Sequence, residues 1–323
     1  MRVSDLHSFF IYVFFGYFFI FPALCIALKL FNIKHPKQRK SLYLMALFAP
    51  FAGFALYHTV LEKRCQTGLL PGGLFWYYFE ALCNIGKTAI SFLAPLLVLL
   101  IVVGLLKALV GSIYLRRMQA SSVELSKEER QRVESIIRDC CQHWRIAVPR
   151  LLFTAQRGFA AFAAGFYRPV VVVNAAILPQ LTDTELAGIL THELVHIRRK
   201  DMLMGWLLHL LRDMMIFTPF STILLDRCML ERERLCDLET AELLGSERQY
   251  AATLLKVWRL LVDRQQPSHR VVTSFTGRAR EMEQRVTALL AGDEQKAALP
   301  GYLFSTLLFS MATMTILFLG LIC

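Results

Sequence analysis

Charge is what this chain has little of. Asp, Glu, Lys and Arg make up 19% of its 323 residues, against 55% apolar types, and the mean hydropathy is +0.46. Soluble domains carry more charge and less apolar residue than this, so a chain soluble along its whole length is excluded. Eight cysteines are present without a single CxxC pair, so no paired-cysteine motif organises the chain. Internal repeats and low-complexity tracts are also lacking, and no nucleic-acid motif accompanies the formal charge of +11. The cations gather beside the apolar runs instead, which points to lipid headgroups rather than nucleic acid as their partner.

Long apolar runs are what the chain has in quantity. A helix needs about 20 such residues to cross a bilayer, and four segments reach that length: about 9–30, 42–61, 88–114 and 302–323. The first reads as an anchor and not a cleaved signal, because Leu24, not a small residue, precedes Cys25. Pro50 and His58 make the second the weakest. Ionisable residues are nearly absent from the spans, which disfavours a transporter or channel. The basic loop Lys34–Lys40 and the pair Arg116, Arg117 should face the cytoplasm. That orientation puts the N-terminus, the loop 62–87 and Cys323 outside, and residues 116–300 inside. Cys140, Cys141, Cys228 and Cys236 should then be reduced thiols. For Cys65 and Cys83, in the outer loop, a disulfide and two unpaired thiols are both open.

The domain plan expected is three N-terminal spans within 1–115, a cytoplasmic domain over 116–300 and a fourth span over 301–323. In the cytoplasmic part, a helix over 122–143 precedes three short β signals: 150–154, 159–164 and the valine run 170–173. Thr182 or Asp183 then caps a helix running to about Arg199. The apolar stretch 202–225 is broken by Arg212, Asp213 and Pro219, and fits either a membrane-surface segment or a core helix. Helices over 226–244 and 246–262, a loop over 265–277 and a basic helix over 278–291 complete the domain.

That capped helix carries His192-Glu-Leu-Val-His196. Residues four apart share a helix face, so both imidazoles can grip one metal ion, and Glu193 can reach a metal-bound water as general base. Catalytic zinc takes a third protein ligand and keeps one position open. The stretch Glu231–Asp237 supplies it. Glu233 is preferred over Glu231 because Asp237 stands four residues on, where it can accept a hydrogen bond from a ligand histidine. The segment Phe159, Ala160, Ala161, Phe162, Ala163, Ala164 has small side chains suited to an exposed strand edge that pairs with an extended substrate. Cys236 reads as a packing residue, and Arg198, Arg199 and Lys200 as helix C-terminal cations facing headgroups.

The residues Arg168–Asn174, Thr182–Met202 with its HELVHIRRKD core, ERERLCD and Tyr250–Leu255 together resemble the BlaR/MecR-type membrane zinc metallopeptidases. More distantly, Phe159–Gly165 resembles the edge strand of the heat-shock membrane metalloproteases and prenyl-protein proteases. The resemblance implies an α-helical membrane protein with four transmembrane helices and a cytoplasmic α+β zincin-like domain, held in a bacterial cytoplasmic membrane. It implies Zn2+ on His192, His196 and Glu233, Glu193 as base, and Asp237 as the acid behind a ligand. The substrate implied is a protein: a cytoplasmic transcriptional repressor, the chain itself (near Gly277–Arg280), or membrane proteins under quality control. A zinc-binding signalling scaffold that does not cut is the alternative of another class. The chain contains no SxxK and stops at Cys323, so the penicillin-binding sensor of the beta-lactam receptors is expected to be missing.

Overall fold

A computed structural model of the chain describes residues 3–56, 94–120, 122–156, 158–165, 168–214, 218–263, 272–292 and 298–321. The loop with Cys65 and Cys83 lies outside the described residues. The chain divides into two compact units. One holds Met1–Ala108, His209–Cys228 and Ala297–Cys323; the other holds Leu109–Leu208 and Met229–Lys296.

The first unit is helical. It contains α1 (Val3–Leu30), α2 (Pro36–Leu56), the start of α3 (Ala94–Ala120) and α10 (Gly301–Leu321). Tyr17 of α1 is fully buried and donates its hydroxyl to the Leu47 carbonyl of α2 at 2.7 Å. Gln38 ties α2 to the entry of α10 through both its amide atoms, at 2.8 and 3.0 Å from the Leu299 backbone. Among the described residues, one window, Val13–Leu30, is long and apolar enough to cross a membrane by length and composition. One of the four expected spans therefore meets that criterion. In the same unit, Phe220 packs against the rings of Phe18 and Phe21, and the Arg227 guanidinium sits over Phe21.

The second unit is α+β, mostly helical around a small sheet. After α3, helix α4 (Lys127–Trp144) begins five residues later than the sequence suggests, because Ser126 caps it by accepting from the Glu129 N–H. Val123, expected in that helix, instead donates its N–H to the Phe153 carbonyl. The strands are β1 (Arg150–Thr154), β2 (Ala161–Ala164) and β3 (Val170–Asn174), in the order β1-β3-β2, with β1 parallel and β2 antiparallel to β3. Central β3 is buried on both faces, and this is why it reads as an unbroken valine run. Val171 and Val173 pack with Ile137 of α4 and Leu190 and Leu194 of the next helix, while Val170 and Val172 pack with Met118 and Leu152. Of the six residues expected in the edge strand, Phe159 and Ala160 lie before it. The Asn174 side chain donates to the carbonyls of Gln156 and Phe159, at 3.1 and 2.9 Å, and so pins the segment entering β2.

Helix α5 (Asp183–Arg198) starts at Thr182 with a complete capping box to Glu185. The stretch 202–225 splits into α6 (Asp201–Met214) and the first turns of α7 (Pro219–Leu244), which continues unbroken through 226 where a boundary was expected. Pro219 opens α7, a position where its missing N–H costs nothing. Leu203, Met204 and Leu207 of α6 are exposed. Helices α8 (Glu247–Asp263) and α9 (Val272–Leu290) complete the unit. The expected loop to 277 is helical from Val272 on. Cleavage near Gly277–Arg280 would need this turn of α9 to unwind, since a scissile segment must be extended.

Candidate metal centre

Helical spacing alone turns His192 and His196 of α5 to one side, their Nε2 atoms 3.2 Å apart. Helix α7 packs across that face and brings Glu233 to both: its Oε2 is 3.3 Å from His192 Nε2 and 3.6 Å from His196 Nε2. Glu231 does not join them. It is buried and bonded to Arg234 Nη1 at 3.1 Å. The three facing atoms form a near-equilateral triangle. Tetrahedral zinc with ligand bonds of about 2.0–2.1 Å requires ligand–ligand edges of about 3.3–3.4 Å. The triangle matches that requirement, and the donor set of two imidazoles and one carboxylate suits the ion.

The rear of His192 is equally defined. Its Nδ1 lies 3.0 Å from the Tyr250 hydroxyl and 3.3 Å from Asp237 Oδ1. Tyr250 also donates to Asp237 Oδ1 at 3.1 Å, and Arg285 grips the same carboxylate with Nε and Nη2, both at 2.7 Å. Gly188 eases this approach: a Cβ there would stand 3.3 Å from both the Tyr250 ring and a Leu244 methyl, tighter than usual packing, so the bare glycine lets α8 lie close to α5 without displacing either side chain. Sequence reasoning missed Tyr250 as a site residue although it opens the Tyr250–Leu255 stretch of the resemblance. It had no signal for Arg285.

The electrostatics agree with the geometry. Burial pushes the Glu233 carboxyl up, but hydrogen bonds from His192 and His196 and the Arg285 charge outweigh it and hold the group well below the usual carboxylate range. Burial likewise opposes protonation of the imidazoles. Asp237 and Glu233 overcome this at His192, and Asp201, Cys236 and Glu233 at His196, so both are raised above the ordinary histidine range. Asp237 is desolvated as well, yet the Arg285 charge takes it down to about 2. Carboxylates around these two rings therefore draw positive charge to the point between them, which a divalent cation would supply.

Glu193 lies outside the triangle. Its Oε2 accepts the Ala163 N–H of β2 at 2.8 Å. Asn174 N–H already donates inward to the Ala160 carbonyl, and alternation along β2 turns the Ala163 N–H away from β3, toward α5. Glu193, the imidazoles and the β2 edge all border a cavity of about 460 Å³, whose apolar side is formed by Phe162, Ile189, Leu254, Val257, Trp258 and Met282. The arginines expected to face headgroups are ion-paired within the unit: Arg198 and Arg199 both bond Glu239, Arg199 at 2.6 Å. Cys236 is buried, as expected of a packing residue, but its Sγ also lies 3.3 Å from His196 Nδ1.

Two helix-borne histidines, a carboxylate from a neighbouring helix, a further glutamate and a strand edge over one cavity are the arrangement that a metallopeptidase requires. The comparisons agree. A profile of the family described as BlaR1 peptidase M56 matches residues 84–289, and the chain belongs to that family of membrane-associated peptidases. The chain is also similar to curated proteins named protease HtpX homolog. It is 33% identical to that of Campylobacter curvus over 87 residues, 26% of this chain and 30% of the relative. With that of Pelotomaculum thermopropionicum it shares 34% over 83 residues, 25% of the chain and 30% of the relative. With one from Bacteroides fragilis it shares 28% over 79 residues, 24% of each. The chain thus spans under a third of the length of these relatives.

Proposed function

We propose that this protein is a multi-pass membrane zinc endopeptidase. Its four spans lie at about 9–30, 42–61, 88–114 and 302–323, and its peptidase domain occupies residues 116–300 on the cytoplasmic side. The observation that carries the reading is the triangle of His192 Nε2, His196 Nε2 and Glu233 Oε2, with edges of 3.2, 3.3 and 3.6 Å. These three residues hold the ion, and Asp237 fixes His192 from behind. Bound there, zinc supplies Lewis-acid polarisation of a water and of a scissile carbonyl.

The rest is work for side chains and backbone. Glu193 takes the proton of the attacking water onto a carboxylate oxygen and returns it to the leaving amine. The outer edge of β2 pairs with an extended substrate, which sets the scissile bond beside Glu193. The Ala163 N–H, now on Glu193 Oε2, serves that edge. The substrate is a protein, a cytoplasmic repressor or the chain itself, in regulated proteolysis. Membership of the BlaR1 peptidase family supports the peptidase reading; the regulatory role rests on the resemblance to the BlaR/MecR-type peptidases, and quality control of membrane proteins is the alternative.

The full chain, purified in detergent, is expected to carry stoichiometric zinc that His196→Ala loses. Its cleavage of unfolded casein should stop with a chelator and return with zinc. Freshly purified wild type without zinc would refute the reading. A second test addresses the edge. Ala163→Pro leaves the β2–β3 ladder intact, because that N–H faces away from β3, but it also strips Glu193 Oε2 of its donor, so melting temperature and zinc content are measured alongside activity. It removes one N–H donor, and kcat/KM is expected to drop about tenfold or more, the scale of a hydrogen bond to a charged group. An unchanged kcat/KM would dissociate the β2 edge from catalysis.

A further inference from the structure

The partners of His192 are matched on the other side of the site by a set the motif spacing did not announce. Asp201 Oδ2 lies 3.1 Å from His196 Nδ1, and the residue is 5% exposed. The backbone puts it there by an uncommon route. Helix α5 ends at Arg198, Arg199 follows in helical geometry, and Lys200 adopts φ +54°, the left-handed region that lysine rarely enters. That single residue reverses the chain, and Asp201, the first residue of α6, comes back to face the histidine five positions before it. Its carboxylate is then held from two further directions. Arg199 Nε donates to Oδ2 at 3.2 Å and Cys236 Sγ approaches it at 3.4 Å, while Arg199 is itself anchored on Glu239.

We propose that Asp201 is a positioning residue for the metal centre, accepting the Nδ1–H of His196 so that Nε2 is left bare toward the ion. The proposal rests on the zinc reading above. It makes the two ligand histidines equivalent in design, His192 held by Asp237 and Tyr250, His196 by Asp201. The atoms of His196, Asp201 and Cys236 also lie close enough together to hold a cation of their own. The Arg199 guanidinium already occupies the Asp201 oxygen, and a second cation beside it would meet like-charge repulsion. The hydrogen-bonded arrangement is therefore the one the local charges favour.

The test is zinc affinity, read by competition with a chromophoric chelator on the full chain in detergent, together with the absorption spectrum after cobalt substitution. Partners that orient metal-ligating histidines typically contribute ten- to a hundredfold to affinity. Asp201→Ala is expected to weaken zinc by about that factor and to shift the cobalt bands. Asp201→Asn, which keeps the shape and an accepting oxygen, should fall between it and wild type. Arg132→Ala, which frees the Leu181 carbonyl ahead of α5 and touches neither His196 nor Asp201, should lower thermal stability and leave zinc affinity near wild type; a loss equal to that of Asp201→Ala would reduce Asp201 to a general structural role and overturn the proposal. Asp201→Ala or Asp201→Asn both binding as tightly as wild type would overturn it too. Two zinc ions per wild-type chain, falling to one in Asp201→Ala, would replace it with a second metal site. Wild type without any zinc would instead refute the peptidase reading on which it stands.

Discussion

Glu193→Gln is expected to retain zinc and lose peptide hydrolysis by about 10²–10⁴-fold, the usual contribution of a positioned general base. Retention follows from geometry. Glu193 is not one of the three atoms of the triangle, and its Oε2 is engaged by the Ala163 N–H. A glutamine carbonyl can accept the same bond, so β2 and α5 keep their packing and the variant should melt close to wild type. What the amide cannot do is take a proton. Metal analysis and casein cleavage on the same preparation check both halves. Full activity in the variant would mean another group moves the proton, and loss of zinc would mean Glu193 is a ligand. A folded, zinc-bound wild type that never cleaves would favour a signalling scaffold, particularly with signalling intact in Glu193→Gln.

Arg285→Met should be the most destabilising single change at the site. Asp237 is 1% exposed, and both its oxygens depend on the Arg285 fork at 2.7 Å. Removing one partner leaves a carboxylate buried without its countercharge, a defect of about 3–5 kcal/mol. Denaturant unfolding of zinc-depleted protein in detergent measures it. The pH dependence gives a second signature. Asp237 is depressed to about 2 in the folded protein, so its contribution to wild-type stability is complete above the unfolded value of about 3.9 and fades as pH falls toward 2. In the variant, burial without the guanidinium raises the carboxyl instead, and acid relieves the defect by protonating it. The two stability curves should converge as pH is lowered from 7 to about 3. A constant gap would mean the loss comes from packing of the arginine stem. Pairing Arg285→Met with Asp237→Leu should recover part of the stability, because no charge is then left stranded.

Local pattern made much of this protein legible. The valine run reads as a strand, and β3 forms over Val170–Asn174; β1 likewise lies where its β signal stood, at 150–154. Thr182 with Glu185 announces the start of α5, because a capping box involves residues three apart. His192 and His196, and Glu233 with Asp237, are each one helical turn apart, so their common faces follow from the period of the helix. The preference for Glu233 over Glu231 rested on the same periodicity, and α7 presents Glu233 to the histidines and turns Glu231 to Arg234.

Other features are not written in any local period. Tyr250 and Arg285 reach Asp237 from helices 13 and 48 residues further along, and only packing brings them together. Asp201 sits beside His196 in sequence, but a helix extended by one more turn would carry it away. The left-handed φ of Lys200 decides that, and nothing about a lysine predicts it. Arg198 and Arg199 look like headgroup cations until α7 offers Glu239. The sequence by itself determined which residues share a helix face, because that follows from the helical period. Which carboxylate backs each histidine, and which arginine holds that carboxylate, was left to tertiary structure, because burying a charge requires a partner, and that partner can come from any element that packs close enough.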